Sequence, residues 1–510
     1  MTRILKSISI CFIILISNLV DAQIPETNPN KLRTINWYFG DSIGIKLNNI
    51  DNPTLNSLLA IDEGSSVLSS SEGDLILYTD GIDVLNSNQN KLNSYPLRTF
   101  SSSIQTSIFV ESDTLIYLLS TNPDTGLFMH TFRYENSVLV ENTLNKKVSL
   151  TCSEALSSHF HQNNRGTFVT TLLVGSNKFQ TSYFGRRGMI CCPTFSSYPT
   201  VNNSQYCNIK YSPSNALMAC SSLDDEINLF IPNKESGELT HLLYLEHYVP
   251  YSIEFSSNEK YLYVSSEGTT IDQYSLEPLD SDSIYNSKIN VETHFNQDIG
   301  TLQLGPFGTI LLPIFGSKYL GQINLPNNNG SSNGVNLNQY FLGNHAKSKY
   351  GLPNFNASYF YTPSIDFAYT EDCWNHDYSF EGRDTFDADG YKWIFEKVNS
   401  SELSVVSGKN CVFTFPDTGK WEVSHIAWNT SRSDTITKTL TIRPQWQQNM
   451  LGNDTFYCKG DSKGIVLTAP SDMHCVHWNG EEPNLDSALG KIIDYDHFHS
   501  DTLLVDTAGT

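Results

Sequence analysis

The sequence predicts an all-β protein in which a seven-bladed β-propeller is followed by β-sandwich modules. Three observations favour this fold class. A hairpin-like unit recurs about six times, the composition is rich in Ser, Asn, Thr and aromatic residues, and no long window after the N-terminus has convincing helical periodicity. Only 17% of the residues are charged, which suits an exported all-β protein better than a helical one.

The first segment, residues 1–22, has the features of a secretory signal peptide. Arg3 and Lys6 give it a positive start, and the apolar run Ile8–Ile16 is too short to span a bilayer. Compact residues precede Gln23, where we expect cleavage. A membrane anchor is the alternative. No second transmembrane segment follows, so we expect a mature chain that is secreted or held at the outer cell surface.

The repeated unit is a short extended run, a polar turn, and a second, more apolar run. Its copies are Ser70–Tyr78, Glu111–Tyr117, Gln162–Val169, Lys210–Ala219, Glu254–Val264 and Gln303–Leu312. Ser, Asn, Gly or Pro separates the two runs, which is typical of hairpin turns. The second runs begin at Leu75, Leu115, Thr167, Ala216, Tyr261 and Thr309, which are 40, 52, 49, 45 and 48 residues apart. A period of roughly 40–50 residues with several strands in each is typical of propeller blades.

The repeat zone gives the number of blades. Residues 35–360 form the predicted propeller, and its span from Trp37 to Tyr359 holds about seven blades of about 47 residues. Only six turns are clear. We therefore predict that the seventh blade combines Trp37–Leu47 with the segment before Gly351, which would close the ring and remove exposed sheet edges. The alternative is a set of β-sandwiches with chance spacing.

Several short motifs resemble a known family. They are Asn36–Leu47, Glu63–Ser66, Leu75–Gly81, Ser153–Glu154, Tyr251–Ser256, Ile271–Tyr274, Gln303–Pro306 and Gly351–Phe355. The chain resembles Bacteroidetes secreted or cell-surface proteins of the gliding-motility-associated, type IX secreted kind. In that family an N-terminal propeller precedes PKD and Ig-like domains. Ile43 replaces a usually small residue and Leu85 replaces a common Trp, and both changes concern packing.

The resemblance also divides the C-terminal part of the chain. Tyr391–Phe395 and Thr414–Val423 alternate as strands do, and the resemblance implies a PKD-like β-sandwich at residues 363–445. It implies an Ig-like module at 449–510 whose final strand would lie beyond the sequence, which would make the chain a fragment. The family's usual Trp-x-Phe-Gly-Asp is Trp393–Glu396 here, so this PKD-like copy is divergent.

Cysteines are expected to have structural roles. Ten are present, and nine remain once Cys11 is removed with the signal peptide, so at least one stays unpaired within the chain. The candidate pairs are Cys207 with Cys220, Cys373 with Cys411, and Cys458 with Cys475. Adjacent Cys191 and Cys192 rarely bond each other, and no cysteines have the C-x-x-C spacing of zinc ligands.

One acidic stretch is a weak candidate for calcium. Asp387, Asp389 and Glu396 occupy positions 3, 5 and 12 of an EF-hand loop. Position 1 is Thr385, however, and Tyr391–Phe395 has the pattern of a strand instead of a helix. We favour a structural turn, with Ca²⁺ as the alternative, and expect no other cofactor.

Neither histidine pair predicts a metal site. His159 and His161 share a strand face but have no acidic or Cys partner nearby, and His474 and His477 would face opposite sides of a strand. The sequence contains no P-loop or H-E-x-x-H motif. Carboxylate pairs are too abundant to single out a glycosidase site. We therefore predict no catalytic residues.

Charge and architecture lead to the functional prediction. The net charge of −22 argues against binding nucleic acid or an anionic membrane surface. We expect an exported binding or adhesion protein, with an extracellular protein or glycan as ligand. The propeller loops would present the ligand and the later modules would act as spacers. The alternative is a propeller hydrolase or lactonase-like enzyme, which would bring inward carboxylates or histidines together at the central channel.

Overall fold

The structure, a computed structural model, is almost entirely β. It describes residues 29–47, 54–100, 102–149, 151–185, 188–189, 193–202, 204–222, 225–266, 270–292, 298–372, 377–442, 465–468 and 502–505. Among these residues the helices are α1 (Pro29–Leu32), α2 (Ser281–Asn286) and the 3-10 turns Gly330–Asn333 and Ala357–Phe360. None of the helices in the described ranges is long and apolar enough to span a bilayer.

Two strands near the N-terminus form an antiparallel sheet of their own. They are β1 (Asn36–Lys46) and β2 (Thr54–Ile61). Trp37 and Phe39 of β1 are fully buried, and Trp37 Nε1 donates to the carbonyl of Thr34 at 2.6 Å. The buried side chains of this sheet pack against the sheets on either side of it.

Six larger sheets follow, each built from consecutive antiparallel strands. The strands of the first three sheets are β3 (Ser65–Ser69), β4 (Leu75–Thr79), β5 (Val84–Asn86); β6 (Ser107–Glu111), β7 (Ile116–Asn122), β8 (Gly126–Glu135), β9 (Val138–Lys147); and β10 (Ser157–Phe160), β11 (Thr167–Leu173), β12 (Ser176–Gly185), β13 (Gly188–Met189), β14 (Thr194–Asn202). Those of the next three are β15 (Cys207–Tyr211), β16 (Met218–Ser222), β17 (Glu226–Pro232), β18 (Leu239–Glu246); β19 (Pro250–Phe255), β20 (Tyr261–Ser266), β21 (Thr270–Ser275), β22 (Ile289–Glu292); and β23 (Gln303–Leu304), β24 (Ile310–Pro313), β25 (Tyr319–Ile323), β26 (Val335–Phe341).

The six hairpins predicted from the repeat are present. The second strands β4, β7, β11, β16, β20 and β24 begin within two residues of the predicted positions. Five of the six turns contain a residue with a left-handed backbone, namely Gly73, Asn164, Asn215, Glu259 and Gly308. Gly and Asn adopt this conformation most easily, so the turn chemistry fixed the positions of the strands.

The sheets are arranged like the blades of a propeller. First strands of neighbouring sheets lie side by side, and Lys210 of β15 bonds both Glu254 of β19 and Gln303 of β23, at 3.1 and 2.5 Å. One hydrophobic core joins Trp37 and other residues of β1–β2 to the β3 sheet on one side and the β23 sheet on the other. The row of sheets therefore returns on itself around a central axis.

The two ends of this zone meet differently from the prediction. Strand β27 (Pro353–Asn354) pairs in parallel with β3, next to the axis. The segment before it makes only isolated backbone bonds to the β1–β2 region: Asp41 N to Lys347 O and Tyr350 N to Asp62 O, both 3.0 Å. Six of the eleven residues 342–352 are Gly, Asn, Ala or Lys, which are depleted in strands, and the segment forms no strand beside β1.

The chain then runs along the axis. Asn354 Nδ2 donates to the carbonyls of Ser107 and Leu156, at 3.2 and 2.7 Å, where the first strands begin. Four residues later, Ser358 Oγ accepts from Phe160 N at 2.8 Å, where a first strand ends. We call the end at which the first strands begin the mouth, and the other end the docked end. Residues 353–358 thus connect the two.

Past the docked end the chain forms a two-sheet β-sandwich. The sheets, in spatial order, are β28 (Ile365–Asp372), β29 (Asp377–Asp384), β32 (Asn410–Thr414); and β31 (Leu403–Ser407), β30 (Gly390–Lys397), β33 (Gly419–Trp428), β34 (Ser433–Ile442). Alternate residues of β33 are buried, as the two-residue period of a strand requires. An aromatic core that includes Phe380, Trp393 and Trp421 holds the sheets together.

The sandwich is bonded to the docked end of the propeller. Lys438 of β34 pairs with Asp366 of β28 at 2.7 Å and donates to the carbonyl of Gln162, in the β10–β11 turn, at 2.8 Å. Glu235, in the β17–β18 turn, accepts from Thr441 N at 2.8 Å. Bonds from two separate turns restrict the angle between the propeller and the sandwich. Further along the chain, β35 (Ile465–Thr468) pairs with β36 (Thr502–Val505).

Other sequence predictions have mixed outcomes. Cys207 and Cys220 lie on adjacent strands as thiols in hydrogen-bonding contact, not as a disulfide. Their contact places them on one face of the sheet, as the predicted pairing requires. The following predictions fall on residues outside the described ranges: the signal peptide, Cys191, Cys192, Cys373, Cys458, Cys475, His474, His477 and most of 449–510.

A candidate binding site at the channel mouth

A cavity of about 400 Å³ lies at the mouth. Apart from Tyr350, its lining comes from the segments that lead into the first strands and from the starts of β15 and β19: Glu63, Ser102, Ile104, Glu154, Tyr206, Cys207, Asn208, Pro250, Tyr251, Asp298, Ile299 and Tyr350. The volume falls within the roughly 300–1,000 Å³ that is typical of small-ligand pockets.

The repeat architecture explains why these residues meet. Glu63 and Glu154 stand just before the first strands β3 and β10, while Asn208 and Tyr251 belong to the first two residues of β15 and β19. In a ring of sheets, the beginnings of the first strands converge on the axis. Residues far apart in sequence therefore line one cavity.

Two glycines let the chain pass close beneath the cavity. A Cβ at Gly351 would lie 1.7 Å from the carbonyl oxygen of Glu63, and one at Gly300 would lie 1.9 Å from that of Tyr350. Both contacts are with backbone atoms, which cannot move aside as the end of a flexible side chain can. Thr301 N donates to Tyr350 O at 2.8 Å and fixes this approach. The floor of the cavity is consequently rigid backbone.

Two carboxyl groups in the cavity favour their protonated forms. Burial, and then the neighbouring Glu63 carboxylate, raises the pKa of Glu154 to about 9. Burial, followed by repulsion from Asp62, raises the pKa of Glu63 to about 7. Within the described residues neither side chain forms an ion pair. The nearby Lys349 is engaged with Asp62 at 3.3 Å and Asp41 at 3.5 Å. The cavity therefore holds acidic groups without a cation of their own.

Two buried polar atoms of the lining lack a hydrogen-bond partner. Glu154 is 3% exposed and its Oε2 has none; Asn208 is 1% exposed and its Nδ2 has none. The other end of the Asn208 amide is fixed, because its Oδ1 accepts from Ile253 N at 3.2 Å. Burying a polar group without a partner costs about 1–3 kcal/mol. A ligand that supplies both partners would remove that cost.

Aromatic rings form one side of the cavity. Tyr350 stacks on Phe315 with ring centroids 4.5 Å apart and meets Tyr251 edge-on at 6.5 Å. Its hydroxyl donates to Asp298 Oδ2 at 3.1 Å. Burial and the Glu63 and Glu154 carboxyls raise the pKa of Tyr251, so its hydroxyl remains a donor. Such a wall can cover either a sugar face or a cationic group.

The weak calcium candidates lie elsewhere. Asp387 and Asp389 are exposed in the turn before β30, where Asp387 O accepts from Asn429 and Asp389 N donates to Trp428 O. Glu396 is exposed within β30, which is a strand as the sequence predicted. No group of three or more His, Cys, Asp or Glu residues in the described parts of the chain is placed to hold a metal ion.

The strand-sharing histidines have structural contacts. His159 is fully buried, packs against Tyr211 with ring centroids 4.2 Å apart, and has its pKa lowered to about 3 by burial. His161 bonds Glu235 O at 3.0 Å and accepts from Asn163 N. These bonds shape the β10–β11 turn at the docked end. No metal was predicted at this pair.

Sequence reasoning did not select the cavity residues. Glu63 and Glu154 appeared only within short motifs that carried a family resemblance, because isolated acids in so acidic a chain give no signal. The available clue was position: each stands immediately before the first strand of a repeat. Asn208 and Tyr251 also occur at the starts of first strands.

Comparison with known proteins gives limited similarity. No protein-family model and no curated protein matches the chain. Among solved structures, the extracellular domain of a candidate hybrid two-component system, BT3049 of B. thetaiotaomicron, is 11% identical with a TM-score of 0.33, covering 76% of this chain and 56% of that one. A candidate 6-phosphogluconolactonase from Bacteroides uniformis is 12% identical (TM-score 0.38; 57% and 92% covered). The β-propeller domain of Myceliophteria thermophila Cps50 (Swd1) is 9% identical (TM-score 0.37; 55% and 94% covered).

Proposed function

We propose that the protein is an exported binding or adhesion protein whose propeller takes a ligand into the mouth cavity. The observation that carries this proposal is the pair of unpartnered buried polar atoms, Glu154 Oε2 and Asn208 Nδ2, in a cavity of about 400 Å³. A ligand that supplies both partners would satisfy the two atoms.

The arrangement of modules supports the same proposal. Residues 353–358 run along the axis and the sandwich is bonded to the docked end, so we propose that a ligand enters at the mouth. We propose that β1–β2 occupies the seventh position of the ring in residues 35–360, that residues 363–445 are a PKD-like sandwich, and that 449–510 belong to an Ig-like module. The sandwich would act as a spacer that holds the mouth away from the attachment point.

Export is part of the proposal and rests on the N-terminal sequence. Residues 1–22 have the charged start and apolar core of a signal peptide, and the resemblance adds a type IX route. N-terminal sequencing of exported protein should find Gln23 first. Recovery of intact Met1 from the cells as the only form would contradict export.

The ligand site can be tested by blocking the cavity. Ser102 is exposed at its rim, so Ser102→Trp should fill the entrance without disturbing the core. Ser87→Trp, on the exposed turn after β5, is the matched control. We expect the unmodified protein and Ser87→Trp to capture the same ligands from an array of extracellular glycans and peptides, and Ser102→Trp to lose them. Equal capture by both variants would contradict the proposed site.

The lactonase-like alternative has partial support only. Carboxyl groups do converge at the channel mouth, as that alternative requires, but the described residues contain no group of metal ligands there. The same array experiment distinguishes the two functions, because an enzyme would release altered compounds instead of retaining them.

A further inference from the structure

The mouth cavity has a combination of groups that defines the chemistry of its ligand. Asn208 Nδ2 needs an acceptor, and Glu154 Oε2 needs a partner, which is a donor when the carboxyl is ionised. The acceptor requirement argues against a bare metal ion, because an amide N–H group is not a metal ligand. A volume of about 400 Å³ also exceeds what a single inorganic ion fills. The ligand should therefore be organic and carry both kinds of hydrogen-bonding group.

The charges decide what kind of donor is needed. Glu63, Glu154 and Asp298 all line the cavity, and no ion pair to any of them occurs within the described ranges. Lys349, which precedes Tyr350 in the sequence, already forms ion pairs with Asp41 and Asp62. A neutral donor would leave Glu63 and Glu154 held as acids, whereas a cation would let them ionise and would gain charge-assisted bonds.

The aromatic wall fits the same ligand. Tyr251 and Tyr350 lie beside the acids, and ring faces attract ammonium and guanidinium groups, most strongly where water is excluded. A Lys349 Nζ that lies 5.7 Å from the centroid of the Phe315 ring already shows this type of contact at the rim.

We propose that the mouth cavity binds an organic cation, an alkylammonium or guanidinium group with a hydrogen-bond acceptor a few bonds away, held between Glu154 and Asn208. This inference rests on the proposed function and adds the class of ligand to it. A lysine or arginine side chain next to its own peptide carbonyl has this combination of groups, and so does a free diamine derivative with a carbonyl.

Binding should be linked to proton release. The titratable and charged groups that face the cavity from the elements around it are Asp62, Glu63, Glu154, Tyr206, Cys207, Tyr251, Asp298, Lys349 and Tyr350. Of these, Glu63 and Glu154 have pKa values raised to about 7 and about 9, so a cation must displace their protons at neutral pH. Affinity for the cation should then rise between pH 6 and pH 8.5, by up to about tenfold per unit for each proton released.

The test uses the full chain with two pairs of small probes in titration calorimetry. Nα-acetyl-arginine amide is compared with the citrulline analogue, which keeps the shape and loses the charge. Nα-acetyl-lysine amide is compared with the norleucine analogue. We expect each cation to bind at least tenfold more tightly than its neutral partner, with release of protons to the buffer.

Variants locate the effect in the cavity. Glu154→Gln keeps the size of the side chain and removes its charge, and Asn208→Leu removes the amide donor; each should weaken cation binding at least tenfold. Glu246→Gln, an exposed acid at the end of β18, should bind as the unmodified chain does. Circular dichroism confirms that each variant is folded, and the probe pairs test the proposal without any variant.

The outcomes separate this inference from the proposed function. Equal affinity for cationic and neutral probes, or an unchanged affinity in Glu154→Gln, overturns the assignment to cations. If no cation binds but Ser102→Trp still abolishes capture of a neutral glycan, the site stands and its ligand class is wrong. If no cation binds and Ser102→Trp has no effect on any captured ligand, both proposals fail.

Discussion

The two ends of the propeller axis differ in whether their buried charged groups have ion-pair partners. At the docked end, Lys438 is balanced by Asp366 and by two backbone carbonyls, those of Gln162 and Phe367. At the mouth, no cation among the described residues pairs with Glu154 or Glu63, and burial raises the pKa of both carboxyls. Both ends are built from turns of the same repeat. The repeat sets the positions at both ends, and the unpaired acids at the mouth agree with the proposal that this end takes a ligand.

The structural role of each end follows from this contrast. A charge whose partners are all supplied by the protein fixes two parts of the chain together, as Lys438 does for the sandwich and the propeller. A charge whose partner is missing costs stability in the unliganded state, and it regains that cost when the partner binds. The following changes test whether the two ends differ in this way.

The largest effect is expected from Gly351→Ala, where the chain enters the axis at the mouth. The new Cβ would lie 1.7 Å from Glu63 O, a backbone atom. We expect a loss of about 3 kcal/mol or more in the free energy of unfolding, measured by urea denaturation. Gly305→Ala is the control, since its nearest neighbour would be 3.4 Å away. Equal stability of the two variants would show that the chain does not pass so close beneath the cavity.

Lys438→Met comes next and tests the docked end. Removing one partner of a buried pair leaves the other uncompensated, which costs about 3–5 kcal/mol when burial is complete. Because Lys438 and Asp366 keep 12% and 18% of their side-chain exposure, we expect about 2–3 kcal/mol. Lys420→Met, on the exposed face of the next strand, should cost little. If both variants unfold at the same urea concentration, the junction does not depend on this charge.

Features that depend on neighbouring residues were predicted from the sequence, whereas features that depend on distant residues were not. The hairpins were predicted because Gly73, Asn215 and Gly308 sit where a left-handed turn residue is needed, within a few residues of the strands they join. The alternating aromatic strands of the sandwich were predicted for the same local reason. By contrast, the seventh blade was expected to include the segment before Gly351, and this segment forms single hydrogen bonds to the β1–β2 region in place of a strand.

The cavity and the junction could not be predicted in this way. Glu63 and Glu154 are 91 positions apart, and Gln162 and Lys438 are 276 apart. Their meeting depends on how many sheets close the ring and on where the chain leaves the axis. Neither is encoded in a short pattern. The raised pKa of Glu154 likewise follows from burial, which no single residue type predicts.

The third prediction concerns pH and the mouth. Burial raises the pKa of Glu154 from 4.5 to about 9, so the folded state holds this proton more tightly than the unfolded state. Its stabilising contribution is complete below about pH 4.5 and is lost as the pH rises toward 9. Glu63, whose pKa is raised to about 7, acts in the same direction. The free energy of unfolding should therefore decrease as the pH rises, and Glu154 should contribute less than about 1.4 kcal/mol per pH unit to this decrease.

The matched variants isolate this contribution. Glu154→Gln cannot ionise, so its unfolding free energy should fall less steeply between pH 5 and pH 9 than that of the unmodified chain. Glu246→Gln removes an exposed acid and should leave the slope unchanged. A slope that is identical in all three proteins would mean that Glu154 is ionised and paired at neutral pH, which would remove the contrast between the two ends.

The smallest effect is expected from Glu381→Gln at the edge of the docked end. Glu381 pairs with Arg165 at 2.6 Å, but the side chains are 47% and 31% exposed, so water competes for both charges. Pairs of this kind contribute about 0.5 kcal/mol or less, and salt screens them. We therefore expect a shift in urea midpoint that is barely measurable at low salt and absent in 1 M NaCl, whereas the cost of Lys438→Met should persist there because its pair is shielded from solvent. If Glu381→Gln lowered the free energy of unfolding as much as Lys438→Met, and did so in 1 M NaCl as well, the exposed Glu381–Arg165 pair would hold the junction instead of the Lys438–Asp366 pair. In that case the docked end would be an exposed ionic contact, and its difference from the mouth would be one of accessibility alone.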